Sequence, residues 1–160
     1  MKKIMVLMLM LVLSVVVTAC SNDESAAVEA KLSAKEMTDQ MVKEVEQPSQ
    51  IELAPEEVKG LYNIDPEKLE DYSIRIPMMN VKTNEIAILK VKDAKDVADV
   101  ELGVKERAES VKKQFEHYLP DQYENAKNYK LVTKGNYVLL VISDNADELV
   151  KVYEGFFDQK

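Results

Sequence analysis

An apolar stripe in residues 97–118 constrains the fold of this chain more than any other feature of its sequence. Its members recur every three or four residues, the period of an α-helix with one buried face, and they are Val97, Val100, Val104, Ala108, Val111, Phe115 and Tyr118. Pro120 follows closely and predicts the end of the helix. Gly103 lies within the stripe. Because glycine weakens a helix by roughly 1 kcal/mol, we expect another segment to approach it closely.

Four short segments have the apolar patterns of strands, and they are residues 74–78, 85–91, 131–133 and 137–142. Short loops join the first to the second and the third to the fourth, so the sequence predicts two antiparallel hairpins. Gly135 can supply the positive φ that the second turn needs. Pro77 lacks an amide donor, which predicts that the first strand lies at a sheet edge. Residues 138–142 are apolar at every position, which favours a central strand.

Helices flank the predicted strands. Ser33 and Glu36 match a capping box at the start of an N-terminal helix, and Asn145 precedes another helix near the C terminus. Residues 49–71 are acidic but carry enough apolar side chains to pack on a core. These elements predict an α+β fold, with an antiparallel four-stranded sheet of two hairpins covered by helices on one face and an additional N-terminal helix. We expect residues 33–160 to form this single domain.

The first twenty residues have the layout of a secretory signal. Lys2 and Lys3 precede an almost unbroken apolar run from Ile4 to Val17, which is short for a spanning helix of about 20 apolar residues. Small residues then lead to Cys20, the only cysteine. The segment resembles a bacterial lipoprotein signal peptide, and this resemblance implies cleavage after residue 19 and a diacylglycerol thioether on Cys20. We therefore expect a signal peptide in residues 1–19 and a lipidated tether in residues 20–32.

Acidic residues dominate the chain after the predicted signal. Removing residues 1–19 leaves 19 basic and 29 acidic residues, a net charge of −10. Phosphate backbones and anionic headgroups repel a protein of this charge, so we expect no nucleic-acid partner. Contact with the membrane then depends on the lipid anchor, which places the domain on the extracytoplasmic face of the cell membrane.

Three further runs carry a second resemblance, and they are residues 85–88, 115–123 and 135–138. In their order and spacing they resemble a family of Gram-positive lipoproteins that share a domain of unknown function. The resemblance covers about residues 61–157 and implies a lipoprotein with a single domain. It implies no reaction, ligand or catalytic residue.

His117 is the only histidine and the first candidate for acid–base chemistry, because imidazole titrates near neutrality. Its position in the last turn of the predicted long helix favours instead a helix-end cation or a surface side chain. Glu106 with Glu109, or Glu116 with Asp121, would supply the two carboxylates of a glycosidase. Their spacing in the sequence carries no information about the roughly 5–9 Å separation that such a mechanism needs.

Metal and nucleotide sites receive little support from the sequence. Asp93, Asp96 and Asp99 recur every third residue without the pattern of a calcium loop, and they favour a helix N-terminus through its dipole. With one histidine, and with Cys20 assigned to the lipid, the usual zinc ligand sets are missing. Because no glycine-rich phosphate-binding motif occurs either, we expect neither a metal nor a cofactor.

Four tyrosines form the candidate binding surface, and they are Tyr118, Tyr123, Tyr129 and Tyr137. If they gather beside the second hairpin turn, they line a groove for a peptide or glycan. Alternatively, they pack the long helix onto the sheet with their hydroxyl groups at the rim. Residues 78–79 are both methionine, suited to filling a core or edge or to an adaptable binding surface.

The sequence thus favours a non-enzymatic binding or interaction module on a lipid anchor, with a protein or cell-wall partner. Two alternatives remain open. One is a cell-surface hydrolase that uses acidic residues and His117, and buried carboxylates around His117 would favour it. The other is an accessory subunit of a transporter or sensor that accepts a partner strand at the edge near Pro77.

Overall fold

The computed structural model describes residues 28–158. This part of the chain forms five α-helices and five strands, in the order α1 (Ala34–Glu44), β1 (Gln50–Glu52), α2 (Pro55–Tyr62), β2 (Leu69–Pro77), β3 (Glu85–Val91), α3 (Val97–Phe115), α4 (Pro120–Lys127), β4 (Lys130–Lys134), β5 (Tyr137–Ile142) and α5 (Ala146–Gly155). Short 3-10 turns precede β2 at Pro66–Lys68 and α3 at Ala94–Asp96.

The five strands form one antiparallel sheet in the order β1-β2-β3-β5-β4. The prediction of an α+β fold with an antiparallel sheet is confirmed, and β5 is an interior strand as its apolar run indicated. The prediction of four strands is wrong, because the short strand β1 adds a fifth. This strand has three residues, and Ile51, its one apolar side chain, is 45% exposed. It therefore carries no buried periodic pattern that would identify it in the sequence.

Pro77 does not lie at a free edge. Gln50 of β1 pairs with it, and the amide of Met78 continues the contact by donating to the carbonyl oxygen of Ser49 at 3.0 Å. The predicted edge position is therefore wrong. The site proposed for a partner strand near Pro77 is already occupied by β1.

Helices cover both faces of the sheet, so the prediction of helices on one face is also wrong. In β3, Ala87 and Leu89 belong to a core packed by α2, α3 and α4, while Ile86 and Ile88 belong to a second core packed by α1 and α5. We call these sides the α3 face and the α5 face. The physical reason lies in the central strands: β5 is buried at every position, so each of its faces needs a cover.

The sequence predicts that the long helix starts within residues 93–96, but Ala94–Asp96 form a 3-10 turn, and α3 begins at Val97 and ends at Phe115. Its stripe is buried from Val100 to Phe115, whereas Tyr118, the last predicted member, lies beyond the end of the helix and is exposed. Gly103 lies against the connection that follows α2, where an added Cβ would be 2.5 Å from the carbonyl oxygen of Tyr62 and 2.6 Å from Cγ1 of Ile64. Glycine at this position therefore allows the close approach that its place in the stripe predicted.

Two local predictions are also confirmed. Ser33 and Glu36 form a reciprocal capping box at the start of α1, and the hydrogen bonds from the Ser33 amide and hydroxyl lower the pKa of the Glu36 carboxyl. Gly135 has a φ of +59° in the turn between β4 and β5. Within residues 28–158, no helix has both the length and the apolar character required to span a bilayer.

Candidate functional site

The structure separates the residues that the sequence proposed for chemistry. Cys20 lies outside the described residues. His117 is exposed in the turn after α3. Glu106, Glu109 and Glu116 line an open groove on the outer side of α3, where Glu109 is paired with Lys112. The hydrolase hypothesis required carboxylates that are buried around the imidazole of His117. These three carboxylates are instead exposed to solvent.

The three regularly spaced aspartates are held by lysines. Lys68 lies between Asp99 and Asp96 at 2.9 Å from each, and its hydrogen bonds to both raise the pKa of Lys68. Asp93 lies 3.5 Å from Lys95. Over the described range 28–158, no group of three or more histidine, cysteine, aspartate or glutamate side chains is arranged to hold a metal ion.

The four candidate tyrosines do not form one surface. Tyr118 is 55% exposed beyond the end of α3, and its ring centroid is 6.1 Å from that of Phe115. Tyr123 and Tyr129 are half-buried against the core of the α3 face. Tyr137 is buried in the core of the α5 face, on the other side of the sheet. The set therefore combines one exposed tyrosine with packing residues from both faces.

Three consecutive buried polar residues lead into the central strand β3. They were not predicted from the sequence. Thr83, Asn84 and Glu85 are only 1%, 2% and 1% exposed. Buried polar side chains require hydrogen-bond partners, because an unpaired one costs roughly 1–3 kcal/mol. Each of the three finds its partners in a different part of the fold.

Glu85 forms a buried ion pair with Arg107 of α3. The guanidinium donates to both carboxylate oxygens, at 3.0 and 2.7 Å, and the hydroxyl of Tyr62 from α2 donates to the same carboxylate. Burial opposes the charge on Arg107, but the hydrogen bonds and negative charge of Glu85 outweigh it and raise the guanidinium pKa. Burial and the charge of Glu85 raise the pKa of Tyr62 well above its usual range. The cluster therefore fixes α2 and α3 against the start of β3.

Thr83 connects the same loop to α4. Its amide donates to Oε1 of Gln122 at 3.0 Å, and its hydroxyl lies 3.2 Å from the same oxygen. The Gln122 amide nitrogen in turn donates to Asp121 at 3.0 Å. The side chain of Gln122 is therefore held in one orientation.

Asn84 joins the end of α1 to the end of β5. Its amide nitrogen lies 3.3 Å from Oε1 of Gln47, 3.4 Å from the Ser143 hydroxyl and 3.4 Å from a carboxylate oxygen of Asp144. The Ser143 hydroxyl donates to Gln47 at 3.0 Å. The backbone carbonyl of Asn84 also accepts a hydrogen bond from Gln50 at 3.0 Å. These contacts form a cross-linked polar floor at one end of the sheet.

This floor opens into a cleft of about 410 Å³, within the range of about 300–1,000 Å³ that is common for small-molecule sites. Five side-chain amides line it, and we call it the amide cleft: Gln47, Asn84, Gln122, Asn125 and Asn145. Charged groups stand beside them, with Glu46 and Asp144 as acids and Lys82 as the base. A side-chain amide both donates and accepts hydrogen bonds. The cleft can therefore accept hydrogen bonds from the hydroxyl and amide groups of a polar ligand and also donate to them.

A second groove, of about 490 Å³, runs between α1 and α5. Val45, Val152 and Phe156 form its apolar base, and Glu44 and Glu148 lie among its acidic lining residues. It follows from two helices packing side by side on the α5 face. It has no fixed polar network like that below the amide cleft, so we place the candidate site at the amide cleft.

The sequence pattern of the family described as Domain of unknown function (DUF4358) matches residues 43–143. The match contains the loop into β3, the Glu85–Arg107 pair and all of the amide cleft except its last two residues. It supports the expected resemblance to a family with a domain of unknown function, although it begins and ends earlier than residues 61–157. No curated protein and no solved structure matches the chain.

Proposed function

The chain belongs to the DUF4358 family, a domain of unknown function, and we propose that it is a binding module held at the outer face of the cell membrane by a lipid on Cys20. Its ligand site in this proposal is the amide cleft. The ligand is an uncharged molecule rich in hydroxyl and amide groups, of the kind found in glycans that carry acetamido substituents.

One observation carries this assignment: the amide cleft has a floor of buried polar side chains that are held in fixed orientations. Asn84 and Gln122 are 2% and 4% exposed, and both line the cleft. Their hydrogen bonds to Gln47, Ser143 and Thr83 set their positions before any ligand arrives. A binding site benefits from such support, because side chains that are already fixed lose less conformational entropy when a ligand binds.

The charges around the cleft are of both signs, two acids and one base, which suits an uncharged ligand better than an anion. Glu46 and Asp144 would repel an anion, while Lys82 would oppose a cation. The side-chain amides of Asn125 and Asn145 are neutral and stand beside these charged groups. A neutral polar ligand therefore meets the fewest unfavourable contacts.

The ligand proposal is tested by calorimetric titration of the full chain in detergent with triacetylchitotriose, which carries hydroxyl and acetamido groups. We expect saturable binding that weakens at least tenfold in Asn125→Ala, since one bidentate amide contact to the ligand is worth about 1.4 kcal/mol or more. The matched control is Gln114→Ala, which removes an exposed amide from α3 outside the cleft. Failure to bind the trisaccharide would reject this ligand class, and equal binding by Asn125→Ala would reject the site.

The anchor is tested separately in cells. Cys20→Ala removes the only thiol in the chain, so we expect unprocessed or soluble protein and no incorporation of radiolabelled fatty acid. Continued labelling of this variant would refute the anchor and leave the ligand site unaffected.

A further inference from the structure

The segment Val28–Leu32, within the predicted tether, contacts the folded domain. The Glu29 carboxylate lies 2.9 Å from the ammonium group of Lys90 and accepts a hydrogen bond from the Tyr137 hydroxyl at 3.1 Å. The Ala30 amide approaches the same hydroxyl at 3.4 Å. The predicted tether of residues 20–32 is therefore shorter at its C-terminal end, since residues 28–32 contact the domain.

Apolar contacts add to these polar ones. Ala30 and Leu32 pack against the core of the α5 face. Val28 lies over the turn between β4 and β5, where a Cβ added to Gly135 would be 2.9 Å from the Cβ of Val28. The segment thus covers the turn and the adjoining end of the sheet.

This contact lies at the opposite end of the sheet from the amide cleft. Within β3, Glu85 begins the strand beside the cleft, and Lys90 is near its other end. Strand β5 runs antiparallel, so its Tyr137 end lies by the N-terminal segment and its Ile142 end by the cleft. Seven strand residues span roughly 20 Å, which is the distance that separates the two sites along β3.

We infer that Val28–Leu32 acts as a clamp that fixes the tether at the pole opposite the amide cleft, so that the cleft faces away from the membrane. The inference rests on the proposed lipid at Cys20. The eight peptide steps from Cys20 to Val28 reach at most about 28 Å, which keeps the clamped pole close to the lipid surface. The ligand of the cleft then belongs to the layer outside the membrane, and bilayer lipid is excluded as its source.

The chain offers a matched pair of labelling sites for a test. Lys82 and Lys92 are exposed lysines that flank β3 at its cleft end and its clamp end, and within residues 28–158 neither forms an ion pair. Lys82→Cys and Lys92→Cys are made in the full chain, purified from membranes, labelled with a thiol-reactive donor fluorophore and reconstituted into phosphatidylcholine vesicles that contain acceptor-labelled lipid. Energy transfer then compares the distance of each pole from the bilayer.

We expect clearly stronger energy transfer from position 92 than from position 82. Equal transfer, or stronger transfer from position 82, would overturn the orientation. Glu29→Ala combined with Tyr137→Phe removes the polar part of the clamp, and we expect the difference between the two positions to narrow. An unchanged difference in that variant would overturn the role of the clamp.

Flotation of the vesicles on a density gradient distinguishes this inference from the function on which it rests. Protein that floats with the vesicles but shows no difference between the two labels contradicts only the orientation. Protein that does not float contradicts the lipid anchor, and the orientation with it. Binding of triacetylchitotriose is measured by titration of the full chain in detergent, so it tests the ligand site independently of the anchor and of the orientation.

Discussion

Arg107 of α3 donates two hydrogen bonds to Glu85 of β3, one to each carboxylate oxygen, in an interior where Glu85 is 1% exposed. The two residues are separated by 22 positions in the sequence and link α3 to the first residue of the central strand β3. The Tyr62 hydroxyl completes it from α2. Three elements of the α3 face are therefore fixed beside the loop that forms the floor of the amide cleft.

Breaking this pair is expected to destabilise the fold. Arg107→Met leaves the Glu85 charge buried and unpaired, which costs about 3–5 kcal/mol, whereas the double variant Glu85→Leu/Arg107→Met removes both charges and should recover most of that loss. Urea unfolding monitored by circular dichroism measures both. Lys127→Met is the control, because it breaks an exposed pair with Glu124 that is worth at most about 1 kcal/mol. An Arg107→Met variant as stable as the control would show that the pair is not buried.

Gly103 and Gly60 provide a matched comparison of alanine substitutions in neighbouring helices. Gly103→Ala places a methyl group against the Tyr62 carbonyl, and we expect a loss of about 1–3 kcal/mol from the forced separation of α2 and α3. Gly60→Ala meets no atom within 4 Å and should gain about 0.5–1 kcal/mol from its better helix propensity. Thermal unfolding gives the sign of each change. A stabilised Gly103→Ala variant would contradict the close approach.

The buried stripe of α3 predicts a large difference between opposite faces of one helix. Val104 is fully buried and Leu102 is 58% exposed. Val104→Asp buries an unpaired carboxyl and should cost several kcal/mol, while Leu102→Asp should remain within about 1 kcal/mol of the wild-type stability. Chemical unfolding of the two variants checks this. Similar midpoints would mean that the stripe faces water.

Titration of Glu29 reports on the N-terminal clamp. The hydrogen bond from Lys90 has the largest effect and lowers the pKa of the Glu29 carboxyl. Burial opposes it, and the Tyr137 hydroxyl adds a smaller lowering. The stabilisation is therefore fully present above the ordinary glutamate pKa of about 4.3 and is lost as the pH falls through the lowered value. Carboxyl NMR shifts should show a higher Glu29 pKa in Lys90→Met. Lys130→Met, which breaks a separate pair with Asp147, should leave it unchanged.

Much of the fold could be predicted because its strongest signals are local. The stripe of α3, the capping box at Ser33 and the turn at Gly135 each depend on residues close together in the sequence. Strand β1 was not predicted, because its three residues are too few to show a hydrophobic period. The placement of helices on both faces of the sheet was also not predicted. The apolar stripe of an amphipathic helix shows which side of the helix is buried, but not which face of the sheet it packs against.

The candidate site was harder to predict, because its contacts join distant parts of the chain. Asn84 meets Ser143 across 59 residues, and Thr83 meets Gln122 across 39. One signal was available: Glu85 directly precedes an apolar run that reads as a buried strand, so a charge there needed a partner. Whether the four tyrosines share one surface also depends on their placement in the folded chain. Successive residues of β5 point to opposite faces, and the position of Tyr137 directs it to the α5 face.

The antiparallel pairing of β3 with β5 has a mechanical consequence for the proposed tethered binding module. Six residue pairs join these strands, from Glu85 with Ile142 at one end to Lys90 with Tyr137 at the other. With the ligand held at the first end and the membrane at the second, tension would run along the strands. The interstrand hydrogen bonds lie across that direction and would be loaded in shear, so that they share the force and do not open one after another. The domain would then withstand pulling better along this axis than across it.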